Sequence, residues 1–159
     1  MASAVHAMEA SGVGRWMRES LWAYPGVEVV HIAAIGLLFG SIVVVDLRLA
    51  GFGRGLSAKR LAALAVPWTL TGFLLAACSG LLMFSAHAED FIGNPVFVVK
   101  MSLIFAAGMN ALWLHLGPFA HADAWDVQGA PPLAVRASAL ISIALWLCVI
   151  ACGRLLAYT

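Results

Sequence analysis

The chain has 159 residues, of which 63% are hydrophobic and 11% are charged, and its formal net charge is +1. A soluble domain has about 45–50% apolar and about 25% charged residues, so this composition excludes an ordinary water-soluble core and predicts an integral membrane protein in a lipid bilayer. The small net charge provides no basic surface, and we expect no nucleic-acid partner. The first nine residues lack the basic and apolar regions of a cleavable signal peptide, so none is predicted.

The segment at residues 11–25 is predicted to be a short amphipathic helix at the membrane surface. Its apolar side chains, among them Trp16, recur at helical spacing, whereas Arg18 and its charged neighbours can stay in water. The segment is too short to cross a bilayer, and its aromatic residues suit the headgroup region. Pro25 and Gly26 are predicted to break the chain before the first membrane span.

Four apolar runs follow, and each has the roughly 20 residues that an α-helix needs to cross the hydrocarbon core. They are predicted at residues 27–47, 61–84, 96–116 and 133–157. The predicted fold class is therefore an all-α membrane protein: a four-transmembrane-helix bundle with a short N-terminal interfacial amphipathic helix. Residues 1–25 form the interfacial segment and residues 26–159 the transmembrane domain. Pro67 falls near the start of the second span, where a missing N–H group is least costly.

Two further features of the spans concern packing and orientation. Gly36 and Gly40 form a GxxxG motif in the first span, which favours the close approach of another helix and predicts a homo-oligomer. Four spans place both termini on one side of the membrane. Basic residues crowd the link between the first two spans, so the positive-inside rule predicts that both termini lie outside the cell.

Polar residues within or beside the spans fall into two layers. Ionisable side chains at membrane depth are expensive and usually face the bundle interior or a water path, so both layers are candidate sites. The layer nearer the termini contains His31, His87, Lys100 and Arg154. The opposite layer contains Asp46, Arg48, Asn110, His115, His121 and Arg136.

The layer nearer the termini is interpreted first as a cofactor site. His31 and His87 are predicted to be the axial ligands of a b-type haem, and Lys100 and Arg154 to hold the two propionates. The same residues can instead hold a quinone. A metal site is the alternative: His31, His87 and Met83 combine imidazole with soft sulfur, which suits copper. A structural role for these side chains is the remaining alternative.

The opposite layer has its own candidate in Asp46. Asp46 and Arg48 point to different sides of a helix, so they need separate partners. Arg136 or His115 is expected to pair with Asp46, which gives either a proton-handling group or a structural clamp. The three cysteines all lie in apolar runs and predict no disulfide framework. No Gly-rich phosphate loop, nucleophile elbow or HExxH motif is present, and we expect no catalytic activity of the chain's own.

Several stretches together carry a resemblance to a known family: HIAAIGLLFG, VVDLRLAG, SGLLMF, NPVFVVKM, NALWLH and ALWLCVIACGRLLAY. Over residues 27–158 the chain resembles an uncharacterised family of small bacterial four-helix inner-membrane proteins. The resemblance implies a location in the bacterial inner membrane and implies no activity. His87 fits the pattern poorly. The polar positions that match it are His31, Asp46, Arg48, Asn94, Lys100, Asn110, His115 and Arg154.

The sequence therefore favours a membrane redox or cofactor-binding module that holds haem b or a quinone near the outer face, with a redox protein as a partner. A non-enzymatic membrane anchor or assembly subunit, whose buried polar residues only fix helix packing, is the first alternative. A copper-handling or small-solute transport protein is the second. Four spans make a poor pathway unless the chain oligomerises, which disfavours transport.

Overall fold

The computed structural model describes residues 2–126 and 129–158. Within these residues the chain is helical and contains no strand. It forms seven α-helices and one 3₁₀ helix, Pro118–Ala124. The α-helices are α1 (Ala2–Glu9), α2 (Gly12–Glu19), α3 (Ala23–Ala50), α4 (Ala58–Ala86), α5 (Ala88–Ile92), α6 (Pro95–Leu116) and α7 (Leu133–Leu155).

Helices α3, α4, α6 and α7 are each long and apolar enough to cross a membrane, which confirms the predicted four-helix fold class. At 1.5 Å per residue they are about 33 to 44 Å long, more than the roughly 30 Å of hydrocarbon. Only 6% of the most apolar stretch of α6 is buried inside the chain. Its remaining apolar surface is therefore available to lipid.

Two helix boundaries differ from the predicted ones. The expected break at Pro25 is wrong, because α3 begins at Ala23 and Pro25 lies in its first turn, where its N–H group has no helical partner in any case. Helix α4 begins earlier than expected because the Ser57 hydroxyl accepts a hydrogen bond from the Arg60 N–H at 3.2 Å and caps the helix. Pro67 consequently lies inside α4 and not in its first turns.

The four membrane helices form two pairs that are joined along one side. Helix α3 packs along α4, α6 packs along α7, and α3 also contacts α7. Helices α4 and α6 share no extended interface among the described residues, but Phe84 of α4 stacks on Phe97 of α6 at 5.5 Å near the terminal end. The closest helix contact is at Gly72 of α4, where an added Cβ atom would lie 2.6 Å from the backbone nitrogen of Leu38.

The GxxxG motif takes no part in this packing. Added Cβ atoms at Gly36 and Gly40 would meet nothing within 4 Å in the described part of the chain. Both glycines are exposed on the outer face of α3. Contact with a second copy through this face stays a prediction.

Different segments of the chain pack over the two ends of the bundle. The terminal end carries α1, α2 and α5, which pack on one another and on the C-terminal part of α4. Arg18 of α2 ties them together by donating to the carbonyls of Ala86 and Glu9 at 2.9 and 2.7 Å. The loop end carries the link from Gly51 to Ser57 and the connection at residues 117–132 that contains the 3₁₀ helix.

Candidate functional site

His31 extends from α3 toward α4 near the terminal end, and its hydrogen bonds define its tautomer. Its Nδ1 atom lies 2.9 Å from the Ser79 hydroxyl oxygen. The Ser79 hydroxyl donates its own hydrogen to the Leu75 carbonyl at 2.6 Å, so it accepts from His31. His31 Nδ1 therefore carries the proton, and Nε2 presents an unprotonated lone pair.

Glycines on the neighbouring helices make room for two polar side chains at this depth. An added Cβ atom at Gly80 would lie 3.2 Å from the His31 ring, so the ring packs directly over the α4 backbone. On the other helix pair, Lys100 of α6 lies beside Gly153 of α7, where an added Cβ atom would be 3.5 Å from Nζ. The Lys100 ammonium is within electrostatic range of His31.

His31 and Lys100 together form a half-buried polar pair inside an apolar bundle. Lys100 has no hydrogen-bond partner among the residues that the structure describes, so its ammonium has donors available. His31 Nε2 offers an acceptor within electrostatic range of Lys100. The pair is therefore suited to a ligand that carries both an acceptor and a donor oxygen. We call His31 and Lys100 the terminal-end pair.

The structure does not bring His31 and His87 together. His31 bonds to Ser79, and His87 lies eight residues further along α4, a distance of about 12 Å at 1.5 Å per residue. His87 is exposed, packs edge-on against the Tyr24 ring at 5.8 Å and lies 3.7 Å from the Asp90 carboxylate. His31 and His87 thus have different partners in this structure, and a bis-histidine haem through this pair stays a prediction.

The two other side chains proposed for this layer are also engaged elsewhere. Met83 packs against the apolar cluster of Met17, Ala23 and Ala86, and a metal held by His31, His87 and Met83 stays a prediction. Arg154 is exposed near the end of α7, donates to the Tyr158 hydroxyl, and stacks over its ring at 4.7 Å.

At the loop end, Arg48 joins three segments of the chain. Its guanidinium is 2% exposed; Nε donates to the Leu56 carbonyl at 2.6 Å, and one Nη donates to the backbone carbonyl of Asp126. The same Nη lies 3.7 Å from the Asp126 carboxylate. Arg48 therefore ties the end of α3 to the α3–α4 link and to the connection before α7.

Asp126 completes this cluster by capping α4 from another part of the chain. Its carboxylate accepts from the Ser57 hydroxyl at 2.6 Å, from the Ala58 N–H and from the Lys59 N–H at 3.4 Å. Desolvation raises the pKa of the Asp126 carboxyl, but these hydrogen bonds and Arg48 outweigh it and hold the pKa below its usual value. A carboxylate at a helix N-terminus also interacts favourably with the helix dipole.

The expected partners of Asp46 point elsewhere. Arg136 Nε donates to the Ala50 carbonyl at 3.2 Å, and His115 Nδ1 donates to the Ala111 carbonyl at 2.9 Å. Asp46 is 2% exposed, and its Oδ2 atom has no hydrogen-bond partner among the described residues. The predicted clamp between Asp46 and Arg136 or His115 is therefore not formed.

The two asparagines that matched the resemblance have local packing roles. The Asn110 side-chain amide of α6 donates to the Ser138 backbone carbonyl of α7 at 3.0 Å. The Ser138 hydroxyl donates in return to Asn110 Oδ1 at 3.0 Å. Asn94 caps α6, because its side-chain oxygen accepts from the Val96 N–H at 2.9 Å. Both contacts help to fix α6 in place.

Sequence reasoning missed Ser79, Gly80 and Asp126. The Ser-Gly pair in the middle of an apolar run was a signal for a close polar contact, because glycine admits another side chain and serine offers a hydroxyl. Asp126 lies in a connection between two spans, and no local pattern connects it to the start of α4. Its role depends on tertiary structure alone.

These features define the class of the protein: it is a multi-pass helical membrane protein with a polar pair near one end of its bundle. A family model described as a family of unknown function, DUF6644, matches residues 10–159. The chain belongs to this family, and the expected resemblance to an uncharacterised family is confirmed. No curated protein and no solved structure matches the chain significantly.

Proposed function

We propose that this protein is a quinone-binding module of a bacterial inner membrane that works with a redox partner protein. The observation that carries the proposal is the terminal-end pair, in which the His31 ring and the Lys100 ammonium lie within electrostatic range of each other. Lys100 has no hydrogen-bond partner in the described chain, whereas the His31 ring bonds to Ser79 and to the Ala76 backbone of α4. We further propose that both termini face outward, which puts this pair near the outer face.

The reduced form of a quinone matches these two groups. A quinol hydroxyl donates to His31 Nε2, whose tautomer makes it an acceptor, and the Lys100 ammonium donates to an oxygen of the same head group. An isoprenoid quinone resides in the lipid phase, and most of the apolar surface of α6, the helix that carries Lys100, is exposed toward lipid. The apolar walls of the bundle suit the ring.

The proposal is tested by titrating a short-chain benzoquinol into purified protein in lipid nanodiscs and following tryptophan fluorescence. We expect saturable binding that weakens by about tenfold or more in His31→Leu and in Lys100→Met, because a hydrogen bond to a charged group contributes about 1.5–3 kcal/mol. His115→Leu at the loop end is the matched control and is expected to bind as the unmodified protein does. Equal affinity in all four proteins would overturn the proposal.

A haem is the second candidate, and one observation favours it. A histidine that ligates a metal generally donates its other ring N–H to a nearby acceptor, as His31 does to Ser79. The close packing of the ring over Gly80 leaves little space for a macrocycle on that side. An absorption spectrum before and after dithionite distinguishes a haem from a quinone. A Soret band that is lost in His31→Ala would show that the site binds haem and would contradict the quinone proposal.

A further inference from the structure

A small cavity lies between the membrane helices near the loop end, apart from the terminal-end pair. Its volume is about 30 Å³, and all four membrane helices and the 3₁₀ helix contribute to its lining. Asp46, Asn110, His115 and Ser142 supply the polar part of the lining. A cavity needs about 10–15 Å³ for each water molecule, so this one has room for about two.

Asp46 lines this cavity without a cation to balance it. Its side chain is 2% exposed, and Oδ2 has no hydrogen-bond partner in the described residues. The two nearest candidate cations at this end are engaged with other groups: Arg48 with Asp126, and Arg136 with the Ala50 carbonyl. The cavity lining from α4 and from the 3₁₀ helix is apolar.

A carboxylate in this position is costly, because the desolvation of an unpaired charge amounts to several kcal/mol. A bound proton removes that charge and leaves a hydroxyl that can donate to a cavity water or to Ser142. A hydrated metal ion needs more space than two water molecules occupy. We propose that Asp46 is a proton-binding site that exchanges its proton with the aqueous phase at the loop end.

The route to water at that end is short. Asp46 lies four residues before the end of α3, which is about 6 Å of helix. Of the titratable groups on the packed elements, His115 of α6 is the one that lines the cavity, and it is exposed. Its Nδ1 donates to the Ala111 carbonyl, so Nε2 is available to take a proton from water and pass it to the cavity.

Infrared spectroscopy of the full chain in lipid tests the proposal, since a protonated carboxyl has a C=O stretching band that a carboxylate lacks. We expect this band at neutral pH, with a shift in D₂O that reports exchange. Asp46→Asn removes it, whereas the matched control Asp90→Asn, which changes an exposed carboxylate, retains it. Ser142→Ala shifts the band by removing a hydroxyl that lines the cavity, and it keeps the test available if Asp46→Asn does not fold.

Three results would overturn the proposal. The first is the absence of a protonated-carboxyl band in the unmodified protein at neutral pH. The second is a band that persists in Asp46→Asn. The third is a band that disappears when sodium is added at constant pH, which would make the cavity a cation site. The readout does not involve quinone, so a failed quinol titration leaves this test unaffected.

Discussion

The two ends of the bundle differ in the contacts that their polar and charged side chains make. At the loop end, the buried Arg48 guanidinium meets the Asp126 carboxylate and backbone carbonyls, and Asp126 in turn caps α4. At the terminal end, His31 and Lys100 occupy spaces beside glycines, and Lys100 lacks a hydrogen-bond partner in the described chain. A charge that bonds to several segments of the chain holds them together, whereas a charge without such contacts suits a ligand.

This difference assigns the two functional hypotheses to different ends of the molecule. The loop end matches a membrane anchor or assembly subunit, and the terminal end matches a cofactor-binding module. Apart from Asp46, the loop end has the features expected of an assembly subunit, because Arg48 and Asp126 fix the connections between helices. The terminal end does not, since a buried charge without a partner destabilises a bundle and is retained only where something else requires it. Variants at the loop end should therefore lower stability more than ligand binding. Variants at the terminal end should lower ligand binding more than stability.

The largest expected effect is at the loop end. Arg48→Met leaves the Asp126 carboxylate without its buried cation and is expected to lower the free energy of unfolding by about 3–5 kcal/mol. Thermal unfolding in mild detergent measures the change. Arg54→Met is the control, because Arg54 is exposed and bonds only to the nearby Gly51 carbonyl, and we expect a change within about 0.5 kcal/mol. Similar effects of the two variants would remove the distinction between the ends.

A smaller effect at the same end depends on pH. Because the pKa of Asp126 is depressed in the folded chain, its contribution is complete above the unfolded value of about 3.9 and is lost as the pH falls through the folded value. Asp126→Asn leaves the Arg48 guanidinium without its carboxylate but keeps a side-chain oxygen at the cap, so it is expected to cost about 2–3 kcal/mol at neutral pH and to flatten the acid limb of the stability profile. Asp90→Asn is the control, because Asp90 is an exposed carboxylate at the other end of the bundle, and it should leave the acid limb unchanged. An acid limb that persists in Asp126→Asn would contradict this assignment.

Gly80→Ala tests the geometry of the terminal end. Its Cβ atom would lie 3.2 Å from the His31 ring, so the ring must move by a few tenths of an ångström. We expect quinol affinity to fall several-fold and stability by about 1 kcal/mol. Gly36→Ala is the control because its Cβ atom meets nothing within 4 Å, and it should leave affinity unchanged. A drop in oligomer mass in the control alone would identify the outer face of α3 as a self-association surface.

The sequence predicted the number and type of the membrane helices because each span has to be apolar along about 20 residues. It also separated the polar residues into two layers, since depth along a helix follows from counting residues. Helical periodicity shows which residues share a face but not which helix that face meets. For this reason the sequence favoured a pairing of His31 with His87. In the structure, His31 bonds instead to Ser79, which lies eight residues before His87 on α4.

The loop end was harder to predict for a related reason. Arg48 and Asp126 are 78 residues apart, and the hydrogen bonds of Asp126 go to the start of a helix that it does not belong to. The Ser57 cap lies directly before an apolar run and is a local signal for the start of α4. No comparable signal exists for an aspartate that caps a distant helix, because its position depends on how the connecting segment folds back.

Lys100→Met is expected to have the smallest effect on the unliganded protein and is the sharpest test of the comparison. Methionine keeps the length of the side chain and removes an ammonium that has no hydrogen-bond partner in the described residues. We expect the free energy of unfolding to stay within about 1 kcal/mol of the unmodified value or to rise, since the desolvation cost of the charge is removed.

The same variant is then unfolded in the presence of quinol. A ligand at 100 times its Kd stabilises a protein by about 2.7 kcal/mol, and a tenfold weaker affinity reduces that gain by about 1.4 kcal/mol. Lys100→Met should therefore match the unmodified protein without quinol and fall behind it with quinol. If it is less stable by more than about 1 kcal/mol without ligand, Lys100 has a structural role. The terminal end would then resemble the loop end, and the anchor hypothesis would apply to the whole bundle.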